Sequence, residues 1–313
     1  MITFGPVPSR RLGKSLGINN IPSMKICSYE CVYCQVGKTK RHIQQRVSCY
    51  EPIIIYNSVK THLEKLQDVD KPDYLTFVAN GEPTLDVNLG TTIKMLKEFS
   101  LPIAVITNAS MLFNSDVRHD LMSADWVSVK VDSAIESIWR SLNKPISSLK
   151  FNELLSGILN FSKEFKGKLV TETMLISGFN DTEDSLSETA GFISKLGASL
   201  SYLSIPTRPP YIKTIEASDE NAITMAYQFF TKYGLSTELL LEYEGAHTGF
   251  TGNAMEDIIS ICSVHPLRKD ALFQLLEKDK ADPLYLIFYC KQRLYKKLNI
   301  IQRVFMLENL NFK

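Results

Sequence analysis

Three cysteines stand within eight residues of this sequence, Cys27, Cys31 and Cys34 in CSYECVYC, with three and then two residues between them. Where thiols are kept reduced, such a cluster indicates metal or redox chemistry rather than a disulfide framework. A reducing compartment is expected. No run of about 18 apolar residues occurs, and the start, MITFGPVPSRRLG, lacks the zones of a signal peptide, so the sequence predicts a cytoplasmic protein with no membrane span. A four-iron cluster is usually held by four thiolates. Three on one loop leave one iron for a fourth residue or for a small molecule that chelates through an amine and a carboxylate. Zinc is the alternative, with Cys49 or His42 as fourth ligand. Zinc ligands usually come as two close pairs, which three in a row followed by a gap of seven or fourteen residues do not resemble.

Elements must position those thiols. The chain has 313 residues, 44% of them hydrophobic, enough for one large α/β domain with a small appendage. Short β-branched or aromatic runs at 23–26, 74–79, 103–107, 126–132, 169–175 and 200–205 predict strands. Between them, segments such as 57–66, 89–99 and 151–165 repeat apolar residues at helical spacing. Strand alternating with helix implies a parallel sheet, here an incomplete (β/α)6 TIM-like barrel, with an open doubly wound sheet as the alternative. Both place chemistry at the carboxyl ends of strands, where NGEPT, TNAS, SGFND and PTRPP lie.

A partial barrel over 1–250 is expected to be followed by a mostly helical module over 251–313, with helices at 255–264, 268–276 and 282–298, and VFMLENLNF as a closing strand or hairpin. That order suggests a winged-helix-like module. EGAHTGFTGN is read as the hinge. The net charge of +1 conceals an uneven spread: +7 over residues 1–50, +5 over 266–313 and −11 between. Basic ends suggest a polyanionic partner. Cys49, Cys262 and Cys290 are read as small buried hydrophobes, His119, His247 and His265 as structural, and Trp126 and Trp139 as packing helices on the sheet.

The CxxxCxxC spacing, with Tyr33 before the third cysteine and a position after the first expected strand, resembles the radical S-adenosylmethionine (radical SAM) superfamily. That resemblance implies a [4Fe–4S] cluster on Cys27, Cys31 and Cys34, with S-adenosylmethionine on the remaining iron, cleaved to a 5′-deoxyadenosyl radical. It implies that Gly81, Glu82 and Pro83, 47 residues beyond Cys34 for the glycine, receive the cofactor's methionine amino group. Asn80 stands where the family has glycine, and as a residue tolerant of positive φ it is expected to serve that turn. In WVSVKVD the residues Ser128, Lys130 and Asp132 alternate with valines and should face the barrel lumen. By resemblance Lys130 and Asp132 contact the cofactor's carboxylate and ribose, and Tyr33, Asn108 and Met174 are further cofactor-facing positions. Glu172 shares the face of Met174, so Lys130 and Glu172 are candidates for touching substrate or for a buried ion pair with each other. Arg208 in PTRPP is a candidate contact to a carboxylate of cofactor or substrate.

FGPVPSRRLGKSLGINNIP, CVYCQVGKTK, YEPI, GEPTL, FKGKL, MLISGFND and PTRPPY resemble, over about residues 4–215, the group related to the wyosine-synthesis enzymes of tRNA modification. Two features set this chain apart. No cysteine stands before Cys27 in this sequence, so a second cluster is not expected, and nor is a fused flavodoxin-like domain, which implies an external electron donor such as flavodoxin or ferredoxin. Arg10, Arg11, Lys14, Lys38, Lys40, Arg41 and Arg46 are candidate phosphate contacts for an RNA substrate. A peptide docked on the C-terminal module and a small molecule are the other substrate readings, and a zinc-stabilised nucleic-acid-binding protein is the non-enzymatic one.

Overall fold

In the computed structural model, which describes residues 2–22, 24–241, 257–258 and 269–278, the chain opens with an antiparallel hairpin, β1 (Thr3–Ser9) and β2 (Gly13–Ile18). Two short strands, β3 (Ile26–Cys27) and β4 (Arg41–His42), pair with each other outside the main sheet. Then come β5 (Tyr74–Phe77), β6 (Ile103–Thr107), β7 (Trp126–Lys130), β8 (Lys168–Met174), β9 (Leu200–Ser204) and β10 (Thr237–Leu240). The eight-stranded sheet has the order β1-β2-β5-β6-β7-β8-β9-β10, and every pair except β1–β2 is parallel. This is a curled, open half-barrel. Its helical connections are α1 (Pro52–Lys65), α2 (Leu89–Leu96), α3 (Ser115–Leu121), α4 (Glu136–Asn143), α5 (Phe151–Glu164), α6 (Glu183–Ile193) and α7 (Glu220–Lys232). The six strands β2 and β5–β9 each lead into at least one helix, and β10 adds a final strand, so the incomplete barrel is borne out.

Local chemistry explains the elements. Pro52 opens α1, and Asp219 caps α7 by accepting from the Ala222 amide at 2.8 Å. Helix α5 buries Phe151, Leu154, Ile158 and Phe161 on one stripe. Val127 and Val129 of β7 are sealed in the core shared with the helices, while Trp126, Ser128 and Lys130 alternate toward the lumen.

The first barrel strand is a correction. Residues 23–26 were expected to supply it, but only Ile26 of that run is in a strand, the two-residue β3, and Ser23 lies outside the described residues. Strand β2 takes the place. Its GKSLGI sequence lacks a β-branched run, and the second of its two glycines is needed for packing: a Cβ on Gly17 would lie 2.1 Å from the Phe4 ring. Strand β10 was likewise unforeseen.

The lumen is layered. At its floor Leu12, from the turn between β1 and β2, packs among Ala104, Trp126, Val170, Tyr202 and Leu240, one residue from each of β6 to β10. Trp126 therefore fills the barrel floor and does not pack helix on sheet as expected; Trp139 packs against Tyr29 and Phe151. Of the expected C-terminal module, α8 (Lys269–Lys278) is described, consistent with the helix expected at 268–276; Asp257 and Ile258 are helical. The other expected tail elements, the hinge, Cys262, Cys290, His247 and His265 lie outside the described residues. Among the described residues no helix is long and apolar enough to cross a membrane.

Candidate active site

The cysteine loop is tied down on several sides. Ile26 and Cys27 pair with Arg41 and His42, the Val32 amide bonds the Leu142 carbonyl at 2.9 Å, and the Tyr211 amide bonds the Cys34 carbonyl at 3.1 Å. Each of the three sulfurs then receives a side-chain N–H from a different part of the fold. Asn108 Nδ2 lies 3.4 Å from Cys27 Sγ, Asn143 Nδ2 lies 3.4 Å from Cys31 Sγ, and Lys25 Nζ lies 3.1 Å from Cys34 Sγ. Burial pushes the Cys27 thiol far up and the Cys31 thiol up to about 11. Bare thiolates are therefore disfavoured here, while a bound metal deprotonates its thiols outright, so buried sulfurs ringed by donors suit an iron–sulfur cluster. Of the two partners considered for zinc, His42 places its Nε2 2.9 Å from the Ser28 carbonyl. Among the described residues no three His, Cys, Asp or Glu side chains form a single-ion site.

The GEP turn lies against the cysteine loop. The Glu82 amide donates to the Ile26 carbonyl at 3.0 Å, and a Cβ on Gly81 would lie 1.8 Å from that same oxygen. Gly81 has φ +142°, a conformation left to glycine. The expectation for Asn80 is thereby corrected: positive φ belongs to Gly81, because that residue makes the close approach. Glu82 Oε1 accepts from the Thr84 amide at 3.1 Å and the Thr84 and Thr107 hydroxyls at 2.6 Å each; Oε2 accepts from the Asn108 amide at 2.7 Å. Burial raises the Glu82 carboxyl despite these donors. With one bond on Oε2, it retains room for one more donor. Pro83 starts a short 3₁₀ turn, Pro83–Leu85. Next to Asn108, Ala109 has φ +65°, a second uncommon backbone conformation at the rim.

Below the rim, charges alternate across the lumen. Glu172 accepts from Arg11 and lies 3.2 Å from Lys130, which is 3.7 Å from Asp132. Asp132 accepts from the Tyr33 hydroxyl, from Asn143 Nδ2 at 2.7 Å and from the Met174 amide at 2.9 Å. The Lys130 ammonium also lies 5.1 Å from the Tyr33 ring centre. Burial works against the Lys130 charge, but Asp132 and Glu172 outweigh it and keep the ammonium's pKa raised. Burial likewise opposes the Glu172 charge, yet Arg11 and Lys130 hold its carboxyl at about 2. These groups surround a cavity of about 340 Å³ that also reaches Cys27, Cys31, Cys34, Glu82 and Asn108, in the size range of small-molecule sites.

All the residues singled out around the cysteine motif thus converge, except that Pro83 stands behind the turn. Arg208 lines the same cavity. Two of the cations read as phosphate contacts are committed inside the protein. Arg11 pairs with Glu172, and Arg46 pairs with Asp120 and donates to the Asp86 carbonyl at 2.8 Å. The sequence reading missed Lys25 and Asn143. Lys25 carried a signal, standing two residues before Cys27; Asn143 reaches Cys31 from 112 residues away and carried none.

Comparison with known proteins agrees with this geometry. The sequence matches the Radical SAM superfamily over residues 21–192. It is 46% identical over 279 residues to UPF0026 protein MJ1312 of Methanocaldococcus jannaschii, covering 88% of this chain and 86% of that protein. The fold is similar to a radical SAM methyltransferase from Sphaerobacter thermophilus, with TM-score 0.54 and 14% identity over 72% of this chain and 66% of that one. It is also similar to TYW1 with a lysine–pyruvate adduct bound, with TM-score 0.54 and 15% identity over 71% and 75% of the two chains. Likeness at those identities is one of fold alone and does not extend to the wyosine-synthesis group. The chain belongs to the radical SAM superfamily, together with the UPF0026 proteins, and that membership implies a [4Fe–4S] cluster and S-adenosylmethionine.

Proposed function

We propose that Cys27, Cys31 and Cys34 ligate three irons of the cluster and that the cavity beneath them receives S-adenosylmethionine and, deeper, the substrate. When bound, cluster and cofactor together supply a 5′-deoxyadenosyl radical from an electron delivered by a low-potential carrier such as flavodoxin or ferredoxin. The chain's own residues orient and shield. Glu82 Oε2 offers its remaining acceptor site to the methionine ammonium, Asn108 and Met174 line the cofactor's side, and Tyr33 and Asn143 hold Asp132 in place. Lys130 and Glu172 face the substrate as a fixed ion pair. Leu12 and its neighbours close the floor against water, which a reactive radical requires. The observation that carries this reading is the set of three sulfurs, from one buried and two half-buried cysteines, each met by an N–H donor, at the mouth of a lumen sealed below.

The TYW1 neighbour binds a lysine–pyruvate adduct. Forming such an adduct needs an unprotonated amine, whereas Lys130 is held as a cation by two carboxylates. The charge pattern therefore favours a substrate bound non-covalently. Exposed Lys38, Lys40 and Arg41, in the segment that pairs with the cysteine loop, support a structured RNA as a second reading; binding that weakens steeply with salt would mark it.

The main test is anaerobic reconstitution followed by iron and sulfide counting and a search for 5′-deoxyadenosine after reduction with S-adenosylmethionine present. About four irons and four sulfides are expected, with product. Cys31→Ala should lose both the cluster and the product. Colourless wild-type protein carrying stoichiometric zinc and making no 5′-deoxyadenosine would overturn the reading.

A further inference from the structure

Lys25 is buried, at 5% exposure, yet its ammonium meets no carboxylate among the described contacts. Its partners are the Gly37 carbonyl at 2.7 Å and the Cys34 sulfur at 3.1 Å. A buried lysine ordinarily requires a paired anion. Here the nearby source of negative charge is the cysteine cluster itself.

We propose that Lys25 sets the reduction potential of the iron–sulfur cluster through a charge-assisted hydrogen bond to the Cys34 sulfur. The inference rests on the cluster assignment made above. Hydrogen bonds to ligand sulfurs and nearby fixed charge are the levers by which a protein tunes such a cluster. One added electron makes the cluster more negative, so an adjacent cation stabilises the reduced form relative to the oxidised one. The other N–H donors to these sulfurs, the Asn108 and Asn143 side chains and the Tyr29 amide, are neutral and lie at the longer distance of 3.4 Å. Charged donors bond roughly twice as strongly as neutral ones, so Lys25 should dominate the set. The lysine also ties the cysteine loop to the turn at Gly37, which is a purely structural role. The two roles separate by potential, because a tether alone leaves the cluster's electron affinity unchanged.

The test is a potentiometric titration of reconstituted wild type, Lys25→Met, Lys25→Arg and Asn108→Ala without S-adenosylmethionine, following the reduced cluster by electron paramagnetic resonance and counting iron and sulfide in each sample. At a solution potential where wild type is half reduced, Lys25→Met should lower the reduced-to-oxidised ratio about tenfold, equivalent to about 59 mV for one electron. Lys25→Arg should stay near wild type, and Asn108→Ala should move less than Lys25→Met. A full cluster in Lys25→Met with an unmoved midpoint overturns the proposal. Should Lys25→Met fail to hold iron, Lys25→Gln, an uncharged donor one atom shorter than lysine, is compared with Lys25→Arg by the same criterion. Wild type that assembles no four-iron cluster would instead sink the assignment on which the inference rests.

Discussion

The two ends of the lumen are built by different means. At the rim, side chains converge from loops, and the backbone takes conformations that most residues avoid, with φ +142° at Gly81 and +65° at Ala109. Polar atoms there are met by several partners each, as at Glu82. At the floor, five neighbouring strands in unbroken register each contribute one apolar side chain around Leu12. Between them lies the charged layer of Arg11, Glu172 and Lys130. The contrast shows a division of labour expected of barrels: the carboxyl ends of strands carry chemistry, and the opposite end carries stability. In this chain the turn between β1 and β2 serves both layers, since Leu12 plugs the floor while Arg11 reaches the charged layer.

Three substitutions sharpen that contrast. Gly81→Ala at the rim should have the largest effect, because steric overlap with the Ile26 carbonyl adds to an unfavourable φ; a loss of about 3 kcal/mol or more in urea unfolding is expected. Gly178→Ala is its control, with φ +74° but nothing within 4 Å of the new Cβ, and should lose only about 1–2 kcal/mol. Equal losses at the two sites would show that the close approach at Gly81 is unimportant. At the floor, Leu12→Ala should lose roughly 2–4 kcal/mol through the cavity it leaves, while iron binding by the remaining folded protein stays intact. Loss of iron in that folded variant would break the division between the two ends.

The charged layer should reveal itself in acid. Glu172 sits at about 2 in the folded protein against an ordinary 4.5, so its stabilisation is complete above 4.5 and disappears as the pH falls toward 2. The difference amounts to about 3 kcal/mol at most. Glu172→Gln should therefore flatten the fall in unfolding free energy between pH 5 and pH 2, relative to wild type, by about that amount. An unchanged slope would show that the ion pairs with Arg11 and Lys130 do not hold in solution.

Much of the site was legible because its parts are local. The cysteine spacing, the GEP turn and the alternation of WVSVKVD each occupy a few consecutive residues, and the strand–helix rhythm gave the half-barrel. The hairpin β1–β2 escaped because Gly17 and Ser15 replace the bulky residues that mark a strand, and their reason is the Phe4 ring and the lumen they face. Arg11 looked like a surface cation until the fold set it beside Glu172, 161 residues away.

The sequence by itself determined which residues make up the core of the candidate site, three cysteines and a glutamate turn, and the layered order of strands and helices, since residue type and periodicity act over short stretches of chain. Only the tertiary structure decided which donors touch the sulfurs, which cation enters the lumen and what plugs its floor. Those choices depend on residues far apart in the chain meeting at one level of a curled sheet, and no local pattern encodes that meeting.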